Sequence, residues 1–511
     1  MADRSTAPEL LDLLVEDATD LGGPTTSNDP IDWPGYGERL ERVRAETGVD
    51  EAVLAVRGRV AGSRVEAVFV LWEFGFFGGS MGVVVGERVA RAYEAAAEAR
   101  LPIVLLPATG GARMQEGVAS LVQMAKTVVA AQAHAEARLL QVVVLRHPTT
   151  GGVFASHINL ADVLLAESGA TIGFVGPRVA EALTGGPLPS GSHSAEGARA
   201  AGLIDAVVSR QELAQRLATL LAWPARTAPR ATVPEPSGPR VPAADAWTQV
   251  ERARSSDRPA AQAYLETVDV ASELHGDRAG DDDPAVRVVL GAIAGRPVVV
   301  VALDRSGGDG RVTPAGYRLA WRGLRIADRL GVAVLTLIDA SGADAGAASE
   351  AGGIAHHIAR TFVELLAVRS PVVSLVIGES ASGGALALAV GDRMLIQEHA
   401  VFSVLQTEGA AALLERDASK APQVAELLKP TAQSLRTLGI ADEVVPEPVG
   451  LEVVAARAAI CRHLDELAPQ SVDERLTNRR RRWRAAGGSA RAGEVQTTIS
   501  GPPARSSGPC R

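Results

Sequence analysis

Scarcities in the chain narrow its possible functions. Cysteine occurs only at Cys461 and Cys510, too few for a disulfide framework or a four-cysteine zinc site. Aromatic residues make up only 4%, which favours folds in which backbones approach closely. Lysine is confined to Lys126, Lys420 and Lys429, and the formal net charge is −9. That balance argues against a general nucleic-acid binder, which would carry a basic domain. No apolar run approaches the roughly 20 residues that span a bilayer. The opening Met1-Ala2-Asp3-Arg4 lacks the basic-then-apolar layout of a secretory leader. The expectation is a cytoplasmic protein with neither a membrane nor a nucleic-acid partner.

What is present is a globular composition, 47% hydrophobic and 22% charged over 511 residues. Residues 1–32 read as a polar N-terminal extension with a short helix at about 8–18. From 33 to 222 strands alternate with helices. Val53–Val60 and Val65–Trp72 read as strands, Gly86–Glu98 as a helix, Ile103–Leu106 as a buried strand, Met114–Ala133 as a long helix and Gln141–Arg146 as another strand. Residues 223–247 are Pro-rich and aperiodic, a linker. Alternation resumes over 248–470. Val286–Ala294 and Pro297–Leu303 read as a strand pair, Thr313–Arg329 as a helix, Val332–Ile338 as a strand, Glu350–Val368 as a helix and Pro371–Ile377 as a strand. The fold class is α/β. Residues 471–511 form a basic tail, expected to be disordered beyond Ala485. Its Arg479–Arg484 run is expected to prolong a helix begun near Glu452 rather than to bind nucleic acid. The halves resemble each other: Leu101–Ala112 matches Val332–Ala343, and Gln141–Ser156 matches Pro371–Leu388.

Glycine loops recur where strands feed helices, at Gly110-Gly111, Gly151-Gly152, Gly342 and Gly383-Gly384. A lone Gly pair is most often a tight turn. Glycine also lets a backbone come close to a ligand, and free amides at a helix start favour an anion such as a phosphate or a developing enolate. Four such loops at matching places, two per half, favour the second explanation. None is followed by the Gly-Lys-Ser/Thr of a P-loop. Gly378-Glu379-Ser380-Ala381-Ser382-Gly383 misses the spacing of a nucleophile elbow. No His, Asp or Glu cluster has metal-ligand spacing, and His147, His157, His356, His357 and His399 read as packed or solvated residues rather than bases.

Phe76-Phe77-Gly78-Gly79-Ser80-Met81-Gly82, Gly110-Gly111-Ala112-Arg113-Met114-Gln115-Glu116 and Thr150-Gly151-Gly152-Val153-Phe154-Ala155-Ser156 resemble the carboxyltransferase β subunit of bacterial acetyl-CoA carboxylase. Pro314-Ala315-Gly316-Tyr317-Arg318, Ser382-Gly383-Gly384-Ala385-Leu386-Ala387 and Ser419-Lys420-Ala421-Pro422 resemble its α subunit. The resemblance, over roughly 33–221 and 285–455, implies a natural β–α fusion with two crotonase-like (ββα spiral) domains in tandem. It implies transfer of a carboxyl group from carboxybiotin, borne by a separate carrier protein, to a short acyl-CoA such as acetyl-CoA, giving malonyl-CoA for fatty acid biosynthesis. It implies biotin as cofactor, a biotin carboxyl carrier protein and a biotin carboxylase as partners, and a homo-oligomer, a dimer of fused chains. By the same resemblance, backbone groups of Gly110, Gly111 and Gly152 hold the acyl-CoA oxygen, and Gly384 and Ala385 hold the biotin oxygen. Gly78, Gly79, Ala112, Arg113 and Val153, with Gly342 and Gly383 in the second half, contribute to substrate binding.

The departures from the family are specific. The four-cysteine zinc ribbon of the β subunit is missing, so no metal is expected. The α subunit's Thr-Pro-Gly-Ala-Tyr-Pro-Gly reads Ala340-Ser341-Gly342-Ala343-Asp344-Ala345-Gly346 here. Changes concentrate in the second half. A biotin-independent decarboxylase of a malonyl thioester and a non-catalytic binding module therefore stand as alternatives.

Overall fold

In the computed structural model, which describes residues 5–23, 27, 29–225 and 230–486, the alternation resolves into two seven-stranded sheets of the same topology. The first runs in the order Val15–Asp20, Val53–Val60, Glu66–Trp72, Ile103–Leu106, Gln141–Leu145, Val163–Glu167, Ala206–Val208. The second runs Asp269–Leu274, Val286–Ile293, Arg296–Leu303, Ala333–Ile338, Val372–Val376, Arg393–Gln397, Glu443–Val445. In each sheet the first three strands pair antiparallel and the rest parallel. Parallel strands are covered on both faces, which is why Ile103–Leu106, Gln141–Leu145 and Val372–Val376 are buried at every position. Short parallel pairs stand off each sheet: Thr149–Thr150 with Ile172–Gly173, Arg311–Val312 with Gly342–Ala343, and Glu379–Ala381 with Val401–Ser403.

Small residues do the packing that aromatics do elsewhere. Pro314–Leu330 starts with Pro at its first turn and stops at Gly331 in the left-handed region. Gly323 lies where this helix crosses the sheet, and a Cβ there would come within 2.6 Å of Val288 Cγ1. The expected helix at 8–18 is instead a helix over Ala7–Leu14 and a strand over Val15–Asp20. A Thr6–Glu9 capping box starts the helix, and antiparallel pairing with Val53–Val60 ends it. The long helix expected from Met114 is broken into a 3-10 turn, Gly117–Leu121 and Gln123–Glu136. Glu350–Val368 likewise divides, at Gly352-Gly353, into Ala347–Ala351 and Ile354–Ala367.

The stretch read as a linker has no helix or strand over 230–244, yet it is bound to the second half. Ala231 N–H donates to Ala294 O, and Arg240 bridges to Pro448. The tail differs more. Rather than prolonging the preceding helix, which ends at Leu467, a new helix spans Val472–Ala485 and is capped by Ser471. Arg475, Arg479 and Arg482 recur at helical spacing and face inward, whereas Arg480, Arg481 and Arg484 are exposed. Arg475 donates to Arg369 O at 2.7 Å, Arg479 pairs with Asp392 at 2.6 Å and Arg482 pairs with Asp442 at 2.7 Å. Arg479 is fully enclosed. The basic run thus packs Arg479 and Arg482 on the second half and leaves its other arginines in solvent. The disorder expected beyond Ala485 concerns residues that lie, from 487 onward, outside those described.

A polar seam welds the halves. Asp205, on a loop of the first half, is wholly buried and pairs with Arg278 at 2.8 Å and Arg322 at 2.7 Å, both from the second half. It also accepts from Leu164 N and His275 N. Burial alone would raise its carboxyl, but Arg322, Arg278 and the two amides outweigh that and hold it below the usual range. Arg278 continues to Ala161 O and Asp162 O, and Arg329 pairs with Asp162. Gly202 and Gly276 touch across the seam, where a Cβ on Gly276 would lie 2.1 Å from Gly202 Cα. Beside them Trp223 Nε1 donates to Gly291 O at 2.5 Å, and one hydrophobic core runs through both halves.

Removing one partner of a buried ion network leaves the others uncompensated. Asp205→Ala should therefore cost about 3–5 kcal/mol of stability at neutral pH, read from urea unfolding. Because the Asp205 pKa is depressed in the folded protein, this contribution is present above the unfolded carboxyl value and is lost as pH falls through the folded one. A variant as stable as wild type at pH 7 would remove the seam from the account.

Candidate active site

Three backbone segments of the first half are layered to make one site. The strand Ile103–Leu106 delivers Ala108–Arg113. Gly110 N–H donates to Gly78 O at 2.9 Å, Met81 N–H to Gly111 O at 2.8 Å, and Thr150 N–H to Thr109 O at 2.9 Å. Glycine is required where these segments cross. A Cβ on Gly79 would lie 1.9 Å from Ala108 O. Gly151, at φ +75°, would place one 2.7 Å from Gly111 Cα. The loops thus bring together Gly78, Gly79, Gly110, Gly111, Ala112, Gly151 and Gly152. Gly152 and Val153 fall in the first turn of the Gly151–Phe154 helix, where amides have no preceding intrahelical carbonyl. The Val153 side chain is buried in the core. Gly111 N–H is shared with the Thr109 hydroxyl at 3.0 Å.

The second half repeats this geometry. Ser341 N–H donates to Gly310 O at 3.0 Å, Asp344 N–H to Val312 O at 2.8 Å, and Ala381 N–H to Ala340 O at 3.3 Å. The bonding register equates Gly110-Gly111-Ala112-Arg113 with Ser341-Gly342-Ala343-Asp344, and Thr150-Gly151-Gly152 with Ala381-Ser382-Gly383. Ser382 adopts φ +71°, as Gly151 does at +75°. Gly383 is therefore the counterpart of Gly152. Gly384 follows it, pressed against Tyr317 so that a Cβ would meet the Tyr317 hydroxyl at 2.6 Å, and Ala385 is wholly buried. A cavity of about 500 Å³ opens beside Ser382 and Gly383, walled by Leu386, Phe402 and Trp483 of the C-terminal helix.

Arg113 was expected at the substrate, but its side chain has no exposed surface. It donates to both Glu51 oxygens at 2.5 and 3.0 Å, to Ser80 O at 2.8 Å and to Tyr36 Oη at 3.1 Å. Its role is to position the glycine loop. Tyr36 Oη donates to Glu116 Oε1 at 2.6 Å, and Glu116 accepts Val83 N–H at 2.6 Å. Burial, with the bond to Glu116 adding, pushes the Tyr36 phenol up to about 12 against the pull of Arg113. Sequence reading missed Tyr36, Glu51 and Glu116 in this role, because the partners are 62 to 80 residues apart and follow no period. Glu379 and Glu408 share Arg254 through pairs that include one of 2.8 Å. His157 is enclosed between Trp72 and Tyr93, and burial pushes it down to about 3. It is a packed residue, as expected. Among the described residues no group of three or more His, Cys, Asp or Glu could hold a metal ion, and no helix is long and apolar enough to cross a membrane.

The Asp339 carboxylate lies beneath the second loop with no exposed surface. Arg305 approaches it at 3.3 Å without hydrogen-bond alignment, and neither carboxylate oxygen has a hydrogen-bond partner. Burial raises its pKa to about 7, against the pull of Arg305 and Arg258.

Two sheets of this topology with crossed glycine loops define a pair of crotonase-like domains. The solved transcarboxylase 12S, a hexamer whose structure has methylmalonyl-coenzyme A and methylmalonic acid bound, superposes with a TM-score of 0.74 at 21% identity over 91% of this chain and 90% of that one. The chain is 43% identical to the acetyl-coenzyme A carboxylase carboxyl transferase subunits beta/alpha of Salinispora tropica, over 96% of this chain and 92% of the relative. It is 39% identical to a probable biotin-dependent acyl-coenzyme A carboxylase beta3 subunit of Mycobacterium tuberculosis, over 88% and 92%. Residues 242–487 match the acetyl co-enzyme A carboxylase carboxyltransferase-like family model. The chain belongs to the acetyl-CoA carboxylase carboxyltransferase family.

Gly151→Ala would force apart the crossed loops. Turnover should fall by about 10²–10³, the scale of losing an oxyanion donor, while circular dichroism stays unchanged. Turnover at the wild-type rate in a folded variant would place the chemistry elsewhere. Asp339→Asn should remove a pH-dependent cost to folding. Wild type loses stability relative to the variant as pH rises from the ordinary carboxyl value of about 3.9 to about 7. A difference that does not vary with pH over that range would mean that Asp339 is ionised throughout.

Proposed function

We propose that the chain is the carboxyltransferase of a biotin-dependent acyl-CoA carboxylase. It moves a carboxyl group from carboxybiotin, on a carrier protein charged by a biotin carboxylase, to the α-carbon of a short acyl-CoA such as acetyl-CoA. The product is malonyl-CoA, the starting material for fatty acid biosynthesis in the cytoplasm. The duplicated glycine loop carries this reading. The reaction puts negative charge on two oxygens, the thioester oxygen of the enolate and the ureido oxygen of biotin, and the chain has two like sets of backbone donors. Gly111 and Gly152 serve the thioester oxygen, with Gly111 N–H shared with the Thr109 hydroxyl at 3.0 Å, while Gly110, expected as a third donor, gives its N–H to Gly78 O at 2.9 Å and braces the loop instead. In the second half Gly342 and Gly383 occupy the corresponding positions, with Gly384 and Ala385 just inside. Preorganised amides need no nucleophilic side chain.

The functional unit is an oligomer, at least a dimer. Phe174 and Val404 follow the crossed loops at equivalent positions and are 65% and 73% exposed. The helices beyond them present Leu183 and Leu413, also largely exposed. Apolar faces of this kind beside both sites are surfaces for another subunit.

The direct test supplies malonyl-CoA with and without a biotinylated carrier or free biotin. Biotin-dependent loss of malonyl-CoA is expected. Biotin-independent release of acetyl-CoA would make the chain a decarboxylase, and tight CoA binding without turnover would make it a binding module.

A further inference from the structure

We infer that Arg39 and Arg42 form a clamp for the phosphate-bearing nucleotide end of the CoA thioester, an inference that rests on the acyl-CoA reading of the first half. Both lie on the helix Tyr36–Thr47, three residues apart and so on one face. They line a cavity of about 590 Å³ that Gly78, Gly110 and Ala112 also line. The cavity that reaches the glycine loop therefore carries two cations in its lining.

Most arginines in this protein are committed to carboxylates or carbonyls, as Arg44 on the same helix is to Glu41 at 2.6 Å. Arg39 and Arg42 are exposed, and neither has a carboxylate partner among the described residues. Arg39 lies over the Phe77 ring at 5.0 Å, which steadies its guanidinium. Glu46 is the single acid in the cavity lining, so the local balance is positive on a chain of net charge −9. A planar guanidinium matches phosphate oxygens bidentately, and local positive charge draws a multiply charged ligand to an otherwise acidic protein.

The helix is also fixed relative to the loop. Tyr36, its first residue, donates to Glu116 at 2.6 Å and accepts from Arg113 at 3.1 Å. Arg113 directly follows Gly110-Gly111-Ala112. The buried cluster thus sets the distance between the place where the thioester reacts and the place where its phosphates are held. A thioester lacking the nucleotide would still reach the loop but would miss the clamp.

The test titrates the full chain with CoA and with pantetheine, by calorimetry, for wild type, Arg39→Gln, Arg42→Gln and the double variant. Arg42 has no partner to lose, so its variant should fold. Each substitution should weaken CoA binding by about tenfold, the scale of one charge-assisted hydrogen bond, and leave pantetheine unchanged. The wild-type affinity for CoA alone should fall steeply with salt. Undiminished CoA binding in the double variant, or an equal loss for both ligands, would overturn the clamp and leave the acyl-CoA reading intact. A wild-type chain that binds neither ligand would overturn that reading and the clamp with it.

Discussion

The buried Asp205 carboxylate is the constraint on which the rest of the molecule depends. It leaves the first half and enters the arginine pair of the second, Arg278 and Arg322. A charge so enclosed is tolerable only when fully partnered, so the seam has one geometry. Each glycine loop is fixed within its own sheet by backbone bonds. What relates one loop to the other is the seam, with the Gly202–Gly276 contact and the core that runs through both halves beside it. A flexible tether alone would not give the two loops a defined separation.

Within each half, positioning is done by buried polar clusters rather than by large side chains. Arg113, Glu51, Tyr36 and Glu116 hold the first loop. In the second half the residue equivalent to Arg113 is Asp344, which accepts from Ser349 Oγ at 2.6 Å, while Arg254 joins Glu379 to the segment that carries Glu408. The loops therefore share a backbone and differ in what braces it. That difference matches the concentration of family departures in the second half, where the reading assigns a different oxygen to be held.

The sequence made the parts that depend on local pattern legible. Apolar runs marked the parallel strands, Ile103–Leu106 to the residue, and glycine spacing marked all four loops. The relation between the halves could be read because both repeat the same strand-loop-helix order. Long-range pairing could not be read. The motif around Gly110-Gly111 does not reveal that Arg113 turns inward, because its partner Glu51 is 62 residues away. In the basic run after Ser471 the solvated arginines, Arg480, Arg481 and Arg484, follow from charge alone, but the pairing of Arg479 with Asp392 and of Arg482 with Asp442 does not. The helix break at Val122 lies between Leu121 and Gln123 with no Gly or Pro to mark it, whereas the one at Gly352-Gly353 has such a mark.

The central claim is that the two halves act as one body through the buried seam, independently of the connecting segment. A protease site placed within residues 226–229 and cleaved after purification tests this directly. The cleaved protein should elute as a single species of unchanged size and keep its carboxyl-transfer rate. Separation of the halves on cleavage, or loss of activity without separation, would contradict the account.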